Sequence, residues 1–288
     1  MTIAAVTAPP RGRSRWKQAS ILPGFGLAMG WTLTYLGLLL VLPLAALVLR
    51  PWELGVEGVW ATLTDPRVLA ALRLSFGAAA VAALANVPIG LLVAWTLTRY
   101  EFPGRRLLDA FVDLPFALPT AVAGIALTAI YAPTGVLGAP LDRLGIQAAY
   151  NPLGVVIALV FIGLPFVVRT VQPVLQDLDA EVEEAALTLG ATHFQRFWRV
   201  VLPSLAPALI SGFSLAFARA VGEYGSVIFI AGNMPFKSEI APLLIVIKLE
   251  QYDYSGAAAV GLAMLVISFG ALLAVNAVQM FLARRGRA

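Results

Sequence analysis

Apolar residues run through the chain in six long stretches, at 22–49, 69–98, 107–132, 153–174, 205–231 and 256–283. A helix needs about 20 apolar residues to cross the hydrocarbon of a bilayer, and each stretch reaches that length. Strands of a membrane barrel would alternate apolar and polar positions over segments half as long. The pattern therefore predicts an all-α, polytopic membrane protein with about six transmembrane helices. The first stretch is too long for a cleaved signal peptide and reads as a retained first helix.

Composition supports this. Of the 288 residues, 60% are hydrophobic and 12% charged, and the mean hydropathy is +0.86. Soluble domains carry about 25% charged residues. Cysteine is absent and His193 is the single histidine. That excludes a disulfide framework, thiol catalysis, thiolate metal sites and histidine clusters. The net charge of +4 does not predict nucleic-acid binding, because the charges sit at the ends of the apolar stretches, where they set topology.

Orientation follows from the basic residues. With the N-terminus inside, the inner segments hold Arg11, Arg13, Arg15, Lys17, Arg99, Arg105, Arg106, Arg169, Arg196, Arg199, Arg284, Arg285 and Arg287. The outer segments hold only Arg50, Arg67, Arg73, Arg143, Lys237 and Lys248. The excess places both termini in the cytoplasm. Residues 1–20 read as a cytoplasmic tail, with its basic residues among Ala8, Pro9, Pro10 and Gly12, touching anionic membrane lipid. Residues 21–288 read as one membrane domain.

The third stretch contains Pro115 and Pro119, followed by Thr120; Pro88 and Pro165 lie in the second and fourth. Each proline removes a backbone donor and frees a carbonyl. Either these are packing kinks, or the third stretch is a broken helix lining a translocation path. Arg219 is the one basic residue deep in a stretch, with Glu223 four residues on. Counted from Ser204 at about 1.5 Å per residue, Arg219 lies roughly 22 Å along the fifth stretch, past the middle of the hydrocarbon. The two form either an ion pair that fixes packing or a waypoint for an oxyanion, which the forked guanidinium suits. The outer loop 232–254 contains an apolar helical piece at 242–249. It folds back toward a pore mouth, receives a soluble partner, or is a plain solvated loop.

The inner segment 177–203 differs from the rest. Asp177, Asp179, Glu181, Glu183 and Glu184 come first. Asp177 or Asp179 can cap a helix whose positive end favours the glutamates. Gly190 can close that helix with a left-handed turn. Phe194, Phe197 and Trp198 then recur at helical spacing, with Arg196 and Arg199 on another face, before Pro203 opens the fifth stretch. The pattern predicts a short helix, a turn and a second helix on the membrane surface. Physics alone does not separate an ordinary amphipathic loop from a docking element.

Glu184-Ala185-Ala186, Gly190 four residues later, and Leu202-Pro203 resemble the EAA loop of ABC importer permeases. Four further stretches are similar to the sulfate/thiosulfate permease subunits of that family: Arg99-Tyr-Glu-Phe-Pro-Gly104, the run 113–124 through Pro115, Pro119 and Thr120, the run 165–175, and Gly222-Glu-Tyr-Gly-Ser-Val-Ile-Phe-Ile-Ala-Gly-Asn233. The similarity covers nearly all the chain after Leu22. Tyr224 stands where many relatives have Phe.

The resemblance implies a type I ABC importer permease fold in a bacterial inner membrane. It implies that the EAA loop is the coupling helix seated in a groove on an ATPase, with Glu184 and Gly190 central. The implied partners are a second permease of the W type, two ATPase subunits and a periplasmic sulfate/thiosulfate-binding protein, which holds most of the specificity. Molybdate or tungstate is the alternative substrate class. Pro115, Pro119, Thr120, Arg219 and Glu223 are the candidate path residues.

This chain is not expected to be an enzyme. A P-loop needs Gly-Lys-Ser/Thr, and Lys17, Lys237 and Lys248 follow Trp16, Phe236 and Ile247. ATP and Mg are therefore expected on the partner ATPase, and no cofactor, metal or catalytic residue on this chain. A proton-coupled carrier would place several acids within its spans. Here the acids in spans are Asp109 and Asp113, near an inner end, and Glu223. Asp109 and Asp113 could face each other as a protease pair would, but lie near the surface.

Overall fold

The protein is described by a computed structural model over residues 25–285. The cytoplasmic tail expected at 1–20 and the first residues of the first apolar stretch lie outside the described residues. The chain divides into two units, 1–46 and 47–288. The described part of the first is helical: α1 (Phe25–Leu36), a π-helical turn (Gly37–Val41) and the start of α2 (Leu42–Leu49). Leu27, Trp31, Leu33 and Leu38 on it are exposed, as side chains facing lipid are.

The second unit continues through a 3-10 turn (Arg50–Leu54), α3 (Gly55–Thr64), α4 (Pro66–Arg99), α5 (Arg105–Val112), α6 (Leu114–Ala117) and α7 (Thr120–Tyr131). It goes on with α8 (Gly138–Arg143), α9 (Pro152–Gln176), α10 (Ala180–Thr188), α11 (His193–Arg196), a π-helical turn (Phe197–Val201), α12 (Leu202–Val221), α13 (Val227–Ile230), α14 (Ala241–Glu250) and α15 (Tyr254–Arg285). Among the described residues there is no strand.

The core is the packing of α4, α9 and α12. Lipid offers no hydrophobic drive for helices to associate, so close packing over small residues does that work. The buried face of α4 is built of Ala71, Ala78, Ala79, Ala82, Ala83, Gly90 and Ala94. Val167 of α9 is clasped between two glycines. A Cβ on Gly90 of α4 would lie 2.7 Å from its Cγ1, and one on Gly212 of α12 would lie 2.9 Å from its Cα. Caps set the helix starts. The Asp65 side chain accepts from the Arg67 N–H at 2.7 Å, and Asn151 accepts from Leu153 and Gly154 at 2.8 and 3.2 Å. Each cap is followed by proline, which loses nothing at a first helical position.

Among the described residues, five helical runs are long and apolar enough to cross a membrane: Phe25–Thr64, Pro66–Arg99, Pro152–Gln176, His193–Val221 and Tyr254–Ala277. For the third apolar stretch, 107–132, the broken helix and not the kinked one is what the structure shows. It is three short helices, α5 to α7. Pro115 stands in the first turn of α6, and Pro119 caps α7 after Leu118 turns extended at φ −83°, ψ 135°. The residue before a proline is pushed out of the helical region, as Leu118 is, so Pro119 starts a new helix rather than bends an old one. Pro88 and Pro165, by contrast, lie inside continuous helices.

The fifth stretch is corrected at both ends. Its helix does not open at Pro203. It runs from His193 through the π-helical turn, where the Leu202 N–H reaches back to the Phe197 carbonyl. The second surface helix expected after Gly190 is therefore the beginning of the span. The helix stops at Val221, not Ala231; a short irregular loop, 222–226, follows before α13.

The loop 232–254 is not a plain solvated one. Its helix α14 packs against α15 and α4. Arg67 at the start of α4 grips Glu239 with Nε and Nη2, at 2.7 and 2.6 Å, and the Ala241 N–H donates to Ser75 at 2.8 Å. Between α14 and α15, Lys248 donates to Asp253 at 2.8 Å and holds its carboxyl below the ordinary value.

Candidate functional site

The segment that follows α9 is a compact, capped unit. Asp179 caps α10, accepting from the Glu181 N–H at 2.9 Å. At the other end the Gly190 N–H donates to the Leu187 carbonyl at 2.9 Å, and the Ala191 N–H to the Ala186 carbonyl at 3.0 Å. With Gly190 at φ +85°, these two bonds make a Schellman closure, whose left-handed residue favours glycine. Thr192 and Gln195 then form a capping box, so the chain turns and re-enters helix within a few residues.

Of the residues singled out in the sequence, Glu184, Ala185 and Gly190 are exposed, Ala186 and Leu202 are half-buried, and Pro203 is exposed. Ala186, Leu189, Gly190, Gln195, Arg196 and Arg199 line part of a 300 Å³ concavity. Leu189 and Phe194 are largely exposed beside it.

Glu183, which in the sequence belongs with the other acids at the positive end of the helix, behaves differently. It is buried, bonds Arg99, and lies 3.7 Å from Nε of Arg196.

The candidate path residues converge from two distant parts of the chain. The 222–226 loop rests on the first turns of α7. A Cβ on Gly225 would overlap the Thr120 side chain, and one on Gly124 would overlap the Ser226 carbonyl. The expected Arg219–Glu223 pair is present, Nη1 to Oε2 at 2.5 Å. Glu223 also holds the loop, since its other oxygen accepts from the Ser226 N–H and Oγ, both at 3.0 Å. Glu223 is 2% exposed, whereas Arg219 is 36% exposed. Thr120, Glu223 and Arg219 thus belong to one neighbourhood, and Pro119 caps the helix that presents Thr120.

In the sequence Arg169 reads only as an inside charge. Its guanidinium bonds both Asp113 oxygens, at 2.8 and 2.5 Å, Asp109 Oδ1 at 2.7 Å and the Asp109 carbonyl at 3.0 Å, and Gln172 at 2.7 Å. Asp109 and Asp113 are therefore both bonded to one arginine. The cluster fastens α5 and the start of α6 to α9.

Residues 86–287 match the family described as "Binding-protein-dependent transport system inner membrane component". The chain belongs to this family, and its fold is that of a multi-pass ABC importer permease. It is 52% identical over 252 residues to a probable sulfate transport system permease protein cysT of Nephroselmis olivacea, covering 88% of this chain and 89% of the relative. It is 48% identical over 265 residues to the sulfate transport system permease protein CysT of Escherichia coli, covering 92% and 96%. Among solved structures, a bacterial ABC transporter involved in import of the acidic polysaccharide alginate superposes with a TM-score of 0.72 over 88% of this chain and 94% of that one, at 16% identity. At that identity the likeness speaks for the fold alone.

Proposed function

We propose that this chain is a permease subunit of an ATP-driven importer for sulfate and thiosulfate, forming the translocation path together with a second, W-type permease. The observation that carries the reading is the identity of about half, over nearly the whole length, to proteins named as sulfate transport permeases. ATP is hydrolysed on two separate ATPase subunits, which seat α10 and the Gly190 turn. A periplasmic sulfate/thiosulfate-binding protein delivers the anion. The membrane is a bacterial inner membrane, the tail at 1–20 and both termini lie in the cytoplasm, and residues 21–288 form the permease domain.

The geometry suits this work. The capped α10–Gly190 unit is followed, after the Thr192 capping box, by one continuous helix from His193 to Val221 that carries Arg219 in its last turn. A displacement at the inner surface can therefore be carried by one rigid element toward the 222–226 loop. Pro115, Pro119 and Thr120 belong to the broken segment that meets this loop, where irregular backbone is tolerated because it lines a cavity or is covered by protein.

The test is uptake of labelled sulfate in a bacterium lacking its own sulfate permeases and supplied with this chain and its cognate subunits. Sulfate uptake with competition by thiosulfate is expected. Uptake of molybdate or tungstate in its place would overturn the substrate assignment. A reporter active only in the cytoplasm should be active after Arg287 and silent near Asp142; the reverse would overturn the orientation.

A further inference from the structure

The geometry points to Glu183, the residue before the EAA triplet, as the positioning residue that fastens the coupling helix α10 to the inner end of α4. The inference rests on the reading of α10 as the ATPase-docking element and concerns how motion leaves that element.

Glu183 faces inward while its neighbour Glu184 faces out. Its side chain is 9% exposed and lies between two arginines from different helices. Arg99 is the last residue of α4 and donates Nη2 to Oε1. Arg196 is the last residue of α11 and presents Nε to Oε2 at 3.7 Å. The Arg99 guanidinium also lies over the Trp95 ring, 5.4 Å from its centroid. Trp95 meets Phe197 edge-on at 5.8 Å. The carboxylate is thus the centre of a clamp that joins α10, the end of α4 and the start of the helix leading into α12.

A buried carboxylate between two guanidinium groups is a stiff joint, because separating it from either partner leaves a charge away from water. The cation–π contact and the aromatic pair hold Arg99 in place for it. Through this joint a displacement of α10 reaches α4 as well as α12, two of the three helices that make the core. Besides this joint, α10 packs against α11 and the π-helical turn at the start of the helix leading into α12, so the bond to Arg99 is what ties it to α4.

The test uses the assembled complex in proteoliposomes and reads three quantities: ATPase retained on purification, ATP hydrolysed, and sulfate accumulated. Glu183→Gln preserves shape and removes the charge. The ATPase should stay bound, since the exposed face is untouched. Hydrolysis should continue and uptake should fall at least tenfold, so that ATP consumed per anion rises by the same factor. Arg99→Gln should do likewise, and the double variant should be no worse than the more severe single one, as expected of residues acting through one contact. A Glu183→Gln complex with wild-type ATP-to-anion ratio overturns the inference, as does one that loses its ATPase. If Glu183→Gln fails to assemble, Arg99→Gln decides the matter by the same ratio. Glu184→Ala and Gly190→Pro, run alongside, test the docking reading itself. If those two transport normally, the docking assignment falls; if they fail while Glu183→Gln transports normally, only the clamp falls.

Discussion

The guanidinium of Arg169 on α9 holds both carboxylate oxygens of Asp113, at 2.8 and 2.5 Å, where α5 gives way to α6. Two parallel bonds fix orientation as well as distance. Arg169 therefore determines where the broken segment lies against the core. Both side chains are partly exposed, so water weakens the pair. Arg169→Gln should cost about 1.5–2 kcal/mol, the lower part of the range for hydrogen bonds to charged groups. Arg169→Lys should recover little, because a point charge cannot replace the fork. Thermal unfolding of the purified complex measures both; equal melting temperatures for Lys and wild type would show that charge alone suffices.

The burial difference between Arg219 and Glu223 gives an asymmetric expectation. Removing Arg219 leaves a carboxylate that is 2% exposed with only Ser226 as donor. Breaking a buried pair in this way costs about 3–5 kcal/mol. Glu223→Gln leaves an arginine that is 36% exposed and keeps an oxygen for Ser226. Arg219→Ala should therefore depress folded yield well below that of Glu223→Gln. Equal yields, or the reverse order, would show that Arg219 carries no structural burden here, leaving a role in the path as its remaining account.

Gly124 faces the Ser226 backbone with no room for a Cβ. Backbone cannot rotate aside as a side chain can. Gly124→Ala should push the 222–226 loop off α7 and cost about 1–3 kcal/mol through overpacking, with loss of uptake. Gly77 on the exposed face of α4 has open space at its Cβ position, and Gly77→Ala should be neutral or slightly stabilising. Uptake per folded complex separates the two; equal behaviour would mean the loop does not depend on this contact.

Much of this architecture was legible in the sequence, for reasons that differ from place to place. The long helices follow from hydropathy alone. The break at Pro119 and the turn at Gly190 follow from the backbone limits of proline and glycine. The end of α12 at Val221 did not, because Val227-Ile-Phe-Ile continues the apolar run past the irregular loop. Nor did the continuity from His193 through Pro203, where a wider turn accommodates the proline. Arg99 with Glu183, and Arg169 with Asp113, are pairs that only the packing of α4, α9 and α10 brings together. In the sequence Glu183 and Glu184 are two adjacent acids, and only the fold turns one inward and the other out.

The Schellman closure at Gly190 leads to a further expectation. Proline at 190 cannot adopt φ +85° and disfavours helix at Leu189. Gly190→Pro should open the turn and abolish anion uptake while the protein still inserts. Glu184→Ala, on the exposed face, should reduce ATPase association without changing the melting temperature. Co-purification of the ATPase with each variant measures this; wild-type uptake by both would remove α10 from the coupling role.

The central claim is that this chain conducts sulfate under the drive of a separate ATPase. Its most direct test is accumulation of labelled sulfate in proteoliposomes that hold this chain and its second permease, with the anion-binding protein at the outer face, and with and without the ATPase subunits and ATP. The expected result is accumulation only when the ATPase subunits and ATP are both present, with thiosulfate competing. Accumulation driven by a proton gradient without the ATPase, or accumulation of molybdate but not sulfate, would contradict it.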